Sequence, residues 1–420
     1  MIKSLKHWVV TKAGRCGQTL SELEDSLFTE NRLLFLAIGI VLGYAGLLAL
    51  KMSEGRSVFG PDGTSLCYVD FCTNWVSGKF AVSSNPAEVY NYALFSAAQM
   101  AFVGPPSPGF PAYHYAYPPT YLFFTYPLGL LSYFAAFVAW AVFTLVLYET
   151  AVYMIVPRLS ALFLALTPVV VTENILLGQN GLLVAGLIGL SLASIERRPW
   201  VSGGIVALLT CKPQFGVGFP LAFLGSRNWR AFAASTVASA IFVMAAAMVF
   251  GVSTWPSFVS ALFDRNSSLS SDEGVEITQQ SVFGLIYWAS GSVTTPLLLH
   301  MIVAVATAIT LTMIWNKRIP HTLKSAALCL GTMMITPYIE MYDFCVLSIA
   351  VAFLIKDGLI RGFLVGERVA IVFCFVSLLF SYLPIGAAVY LVLSLVLARR
   401  IRVWFKDGFS ALSPPEPRRP

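Results

Sequence analysis

The chain has 420 residues, of which 57% are hydrophobic and only 11% charged, with a mean hydropathy of +0.75. A soluble domain carries roughly 25% charged residues, because its surface must stay hydrated. Too little charge is present here to cover a globule of this size, which excludes a soluble enzyme or binding module and makes lipid the main solvent. The net charge of +6 is spread over short loops and both tails, so it encodes topology rather than a nucleic-acid surface.

In chain order, residues 1–32 form a cytoplasmic tail. It mixes Lys3, Lys6, Lys12 and Arg15 with Glu22, Glu24, Asp25 and Glu30, and lacks the apolar core of a cleavable signal. A first crossing is expected at 33–51, followed by a long exterior loop at 52–117. Further crossings are expected at 118–131, 133–153, 180–196, 230–251, 296–315, 322–336, 343–356, 368–382 and 385–398. A second exterior loop occupies 252–282, and a proline-rich tail runs from 401 to 420. The expectation is an all-α polytopic bundle over residues 33–400, with about ten crossings and a first exterior loop of amphipathic helices.

Lysine and arginine favour the cytoplasmic side of short loops. Arg197–Arg198, Arg227 with Arg230, Lys317–Arg318, Lys356 with Arg361 and Arg368, and Arg399–Arg400 with Arg402 mark that side. Both termini then lie in the cytoplasm and the acidic or neutral loops lie in the periplasm of a bacterial inner-membrane protein. Two apolar stretches do not fit the parity. Residues 159–176 have no place in it, and residues 200–225 are flanked by arginines at both ends. Each is either a re-entrant or broken helix, or an ordinary span that departs from the charge rule. The midpoint of the second is Cys211-Lys212-Pro213-Gln214, where proline interrupts a helix beside a lysine.

Polar residues at or near membrane depth are the functional candidates. The first exterior loop contains Asp70-Phe71, Trp75, Gly78, Tyr90-Asn91 and His114-Tyr115-Ala116-Tyr117-Pro118-Pro119. Its aromatics fit an interfacial belt. Asp70 is either a helix cap or a base. Later come Gly178-Gln179-Asn180, Gln280-Ser281 with Gly284, Pro337-Tyr338 and Tyr342-Asp343, where Asp343 is open between a helix cap and a catalytic role. Of the cysteines, only Cys67 and Cys72 share a polar loop, at a spacing that permits a disulfide. No metal-type Cys/His spacing occurs, and a divalent metal is not indicated.

Taken in order, Asp70-Phe71 with Trp75 and Gly78, Tyr117-Pro118-Pro119 with Pro127-Leu128, Gly178-Gln179-Asn180, Lys212-Pro213-Gln214, Gln280-Ser281 with Gly284, and Pro337-Tyr338 with Tyr342-Asp343 resemble the integral-membrane glycosyltransferases of family 87. Asn91 stands where that pattern often has aspartate. The resemblance implies a GT-C fold, a polyprenyl-phosphate monosaccharide donor (a mannose-like hexose or a pentose) and a lipid or glycan acceptor at the periplasmic face. It implies Asp70 as general base. Direct displacement also needs cationic groups on the leaving phosphate, for which Lys212 and His114 are the candidates. Tyr117, Gln179, Asn180, Gln214, Gln280, Ser281, Tyr338, Tyr342 and Asp343 are the candidates for substrate binding. One base without a second carboxylate partner predicts inversion. The alternative from another class is a transporter or flippase of lipid-linked sugars, which would also carry broken helices.

Overall fold

The computed structural model describes residue 19 and residues 22–53, 70–103, 114–269, 279–290, 294–380 and 383–406. Among these the regular structure is helical, with no strand. The first helix, α1, is Glu30–Ser53. Next come α2 (Phe71–Ala81), α3 (Tyr92–Val103), α4 (Leu122–Gly129) and α5 (Tyr133–Ile155). These are followed by α6 (Leu159–Ala165), α7 (Val169–Leu177), α8 (Gly181–Ser194), α9 (Pro199–Leu208), α10 (Gly218–Ser226) and α11 (Trp229–Phe250). The rest are α12 (Thr254–Leu269), α13 (Val282–Ser290), α14 (Thr294–Asn316), α15 (His321–Ile335), α16 (Cys345–Arg361), α17 (Glu367–Ser377) and α18 (Gly386–Lys406).

Among the described residues three helices, α5, α11 and α14, are long and apolar enough to cross a membrane, with mean hydropathies of 1.8, 2.0 and 2.3. Their outer faces are greasy. α11 exposes Val237, Ile241, Met244 and Met248, and α14 exposes Leu298, Ile302, Val305 and Ile309. Residues at that spacing share one helix face, and an apolar stripe so exposed belongs in lipid. The protein is a membrane protein. A fourth span arises if α6 and α7, bent by 68° across a short break, cross as one. Residues 118–131, expected as a crossing, do not form one long helix. They hold a short 3-10 turn and then the eight-residue α4, which extends only about 12 Å.

Both stretches that defied the parity are broken helices. Thr167-Pro168 separates α6 from α7. Between α9 and α10 the chain passes through two 3-10 turns, Leu209–Cys211 and Pro213–Phe215, with Lys212 extended between them at φ −144°. Pro213 has no N–H to continue the ladder, so the helix ends there. α9 packs on α8 and α11, and α10 packs on α14.

The stretch expected as a first exterior loop of amphipathic helices departs from that expectation. α2 is not an amphipathic helix lying on the surface: Phe71, Cys72, Asn74, Val76, Ser77, Gly78 and Ala81 are all buried. It lies against α4, and the two backbones meet where Gly78 faces Gly129. A Cβ on Gly78 would collide with the Thr125 carbonyl and the Gly129 N. Small residues permit such close helix crossings in membranes. Cys72 is disulfide-bonded; Cys67, with which its spacing permits a disulfide, lies outside the described residues.

Candidate active site

The site is built where helices stop. Asp70 precedes α2, in helical conformation (φ −53°, ψ −17°), and its side chain makes no capping hydrogen bond. Its Oδ2 instead accepts a hydrogen bond from Gln179 Nε2. Gln179 reaches it because α7 ends in a left-handed turn at Gly178, φ +64°, and a Cβ there would strike Phe71. Glycine is therefore required at that position for both conformation and room. Asn74 Nδ2 donates to the Gly178 carbonyl at 2.9 Å, and Trp140 Nε1 donates to that of Gln179 at 3.2 Å. The turn is thus held from both α2 and α5.

Asn180 opens α8 and leads to the second half of the cluster. Lys212 Nζ donates to Asn180 Oδ1 at 3.0 Å and to Asp343 Oδ1 at 2.6 Å. The ion-pair side chains are only 6% and 3% exposed. Burying a lysine is costly unless a counterion and good hydrogen bonds accompany it, and Asp343 supplies the counterion. The ammonium lies 4.9 Å from the centre of the Tyr342 ring and 5.0 Å from that of Phe215. An ammonium has three N–H donors. Two are accounted for by Asn180 and Asp343.

Asp343 takes part in a cap and also holds Lys212. It sits in the 3-10 turn Met341–Phe344, where it and Glu340 form a reciprocal capping box. Its Oδ2 accepts from the Glu340 N–H at 3.2 Å while Oδ1 holds Lys212. Glu340 is fixed in turn by Gln279 Nε2, and the Ile339 N–H donates to Gln279 Oε1 at 3.1 Å.

Tyr121 joins the two halves. Its hydroxyl donates to Asn74 Oδ1 at 2.9 Å and accepts from Asn180 Nδ2 at 3.3 Å. Tyr117 stacks on it with ring centres 4.3 Å apart. The charges of Lys212, Asp343 and Asp70 all act on the Tyr117 phenol. Tyr90, outside the spans, donates to the Tyr117 carbonyl at 2.9 Å, and burial pushes its own phenol well above the usual range.

Asp70, Tyr117, Gln179, Asn180, Lys212, Tyr342 and Asp343 thus share one neighbourhood. The other candidates do not join it. His114 is exposed and stacks on Tyr92, ring centres 4.0 Å apart, so the two phosphate candidates are in different environments. Gln280 spends its amide on backbone, Nε2 on the Leu383 carbonyl and Oε1 on the Gly386 N–H. Ser281 accepts from the Gly284 N–H at 3.0 Å as a cap of α13. Tyr338 is 42% exposed and contacts Phe283. Gln214 is half-buried, and its carbonyl accepts from Thr336. Sequence reasoning missed Asn74, Tyr121, Asn174 and Glu340. Asn174 donates to the Tyr342 carbonyl at 2.8 Å and accepts from the Leu182 N–H at 3.2 Å. An apolar run containing a single Asn was the available signal.

Among the described residues no group of three His, Cys, Asp or Glu side chains could hold a metal ion. The family model for glycosyltransferase family 87 matches residues 115–337, just over half of the chain. The chain belongs to glycosyltransferase family 87. No curated protein and no solved structure matches it. In this family 87 protein Tyr115, Tyr117, Gln179, Asn180, Lys212, Gln214, Gln280 and Ser281 fall within the matched span; Asp70, Tyr338, Tyr342 and Asp343 lie outside it. With its apolar helices, it is a membrane glycosyltransferase.

Proposed function

We propose that this glycosyltransferase moves a monosaccharide from a polyprenyl-phosphate donor to a lipid or glycan acceptor, with inversion, at the periplasmic face of a bacterial inner membrane. The observation that carries the reading is the convergence of Asp70–Gln179 and Asn180–Lys212–Asp343 from distant parts of the chain. A lipid-linked donor stays in the bilayer, so its reacting carbon must meet protein groups near the headgroup level. Broken helices supply polar groups there without leaving backbone unpaired in lipid.

In this reading Asp70 takes the proton from the acceptor hydroxyl as that oxygen attacks the anomeric carbon. Gln179 holds the carboxylate in position. The bond to the leaving phosphate breaks with its electron pair on the phosphate oxygen, and Lys212 stabilises that charge through its remaining N–H. Asp343 keeps Lys212 in place and offsets its charge. Tyr117, Tyr342 and Asn180 present aromatic faces and an amide to the sugar. Gln214 lines the same break. His114, exposed on its Tyr92 stack, is better suited to the rim than to the phosphate.

The test is transfer of labelled sugar from a panel of polyprenyl-phosphate sugars, in membranes carrying wild type or Asp70→Asn. Transfer by wild type alone supports donor class and base together. Equal transfer by both removes Asp70. Transfer only from nucleotide sugars would overturn the donor assignment.

A further inference from the structure

Far along the chain from the polar cluster, α17 and α18 enclose a cleft of about 250 Å³. Ala370 lines one wall, Val392, Leu395 and Val396 the other, and Arg399 the rim. The cleft is open to the outside of the bundle, since Leu395 is 61% exposed. An apolar cavity does not hold water well. In a bilayer its natural filling is hydrocarbon.

The rim carries a run of cations, and the nearby Glu24 carboxylate is engaged by the Gly366 and Val369 N–H groups. Arg399, Arg402 and Lys406 are exposed and lie on α18 at a spacing that puts them on one face. None has an acidic side chain in ion-pair range among the described residues. Arg399 donates to the Val365 carbonyl at 2.5 Å, which fixes it at the cleft mouth. Arg400 is the contrast: it is buried and saturated by Glu367, Asp357 and the Gly362 carbonyl. Glu367 also lines the cleft, but both its oxygens are bonded to Arg400, so it does not repel an anion at the rim.

The geometry points to a binding site for one anionic phospholipid, with an acyl chain in the cleft and its phosphate on Arg399 and Arg402. Val392 precedes Arg399 by seven residues, which places it about 10 Å deeper along the helix, the sense in which a chain runs from its headgroup. Clustered cations at the end of a membrane helix attract anionic headgroups. Such cations by themselves would only fix orientation; the cleft leading inward from them is the added element. This site is independent of the donor and base assigned above.

The experiment is native mass spectrometry of the full-length protein, released from detergent with equal dioleoyl phosphatidylglycerol and dioleoyl phosphatidylcholine. Wild type should retain one phosphatidylglycerol in preference by about tenfold, and the Arg399→Gln/Arg402→Gln variant should fall towards parity. Ala370→Phe, which fills the cleft, should lower retention of both lipids. If gel filtration shows that Ala370→Phe does not fold, Leu395→Trp on the exposed lip takes its place. Equal retention of the two lipids by wild type, or an unchanged preference in the arginine variant, overturns the headgroup site. Wild-type retention in the cleft-filled variant overturns the acyl-chain site.

Discussion

At the scale of residues, the Lys212–Asp343 pair separates what holds the fold from what performs transfer. Removing one partner strands a buried charge at a cost of about 3–5 kcal/mol, whereas replacing both with apolar groups is often neutral. Lys212→Met and Asp343→Leu should therefore each lower the melting temperature of the detergent-solubilised protein. The double variant should recover it and remain inactive. A double variant that melts as low as the single ones would mean the pair stabilises beyond its own compensation; one that transfers sugar would remove Lys212 from the chemistry. Asp70 predicts the reverse pattern. It is half-buried, and Asn keeps its shape and an acceptor for Gln179. Asp70→Asn should melt like wild type while transfer falls by about 10²–10⁴-fold, the usual contribution of a general base. The two variants read together distinguish a base from a structural carboxylate.

At the scale of elements, the turns matter more than the helices. The apolar runs of α5, α11 and α14 were readable because hydropathy is additive along the sequence. So was the break at Lys212-Pro213, since proline acts locally. The burial of α2 was not readable. Its aromatics look the same on a membrane surface as in a core, and only the long-range meeting of Gly78 with Gly129 decides between them. Asp343 could be suspected as a cap from its position, but its pairing with Lys212 joins residues 131 apart in the chain. Gln280, another motif residue, binds the Leu383 carbonyl and the Gly386 N–H where α18 begins. Close approach gives a prediction for the site's architecture. A Cβ on Gly181 would collide with the Tyr342 carbonyl and crowd Asn174 Nδ2, whereas one on Gly204 meets nothing within 4 Å. Gly181→Ala should cost about 1–3 kcal/mol through overpacking and displace the turn that carries Asp343. Gly204→Ala should melt at or slightly above wild type, because alanine favours a helix. Equal melting of the two variants would show that the α8–Tyr342 contact yields without strain.

At the scale of the whole molecule, the depth of the cluster links fold to substrate. Trp140, whose indole holds the Gln179 carbonyl, is seven residues into α5. That places the Gly178–Asn180 turn about 10 Å along a helix some 35 Å long, nearer the Ser132 end than the Arg158 end. A donor phosphate held at one headgroup layer could reach this depth with its sugar, and one held at the opposite layer could not. The reaction face therefore depends on which side the Ser132 end occupies; with 118–131 not a crossing, that end lies outside in the proposed topology, and Arg158 and Arg197–Arg198 lie on the cytoplasmic side. The native thiols do not decide this, because Cys211, Cys329, Cys345 and Cys374 are buried and Cys72 is bonded. An engineered thiol does. Leu131→Cys lies at the near end of α5 and Trp200→Cys beyond the far end, exposed by 38% and 60% respectively. In a background with Cys16 changed to serine, an impermeant maleimide applied to spheroplasts should label the Leu131→Cys variant above the parent and leave Trp200→Cys at the parent level until the membrane is opened. The opposite pattern would turn the cluster to the cytoplasm. The donor would then have to be used on the leaflet where nucleotide sugars are also available, and the case for a donor delivered across the membrane would lose its physical basis.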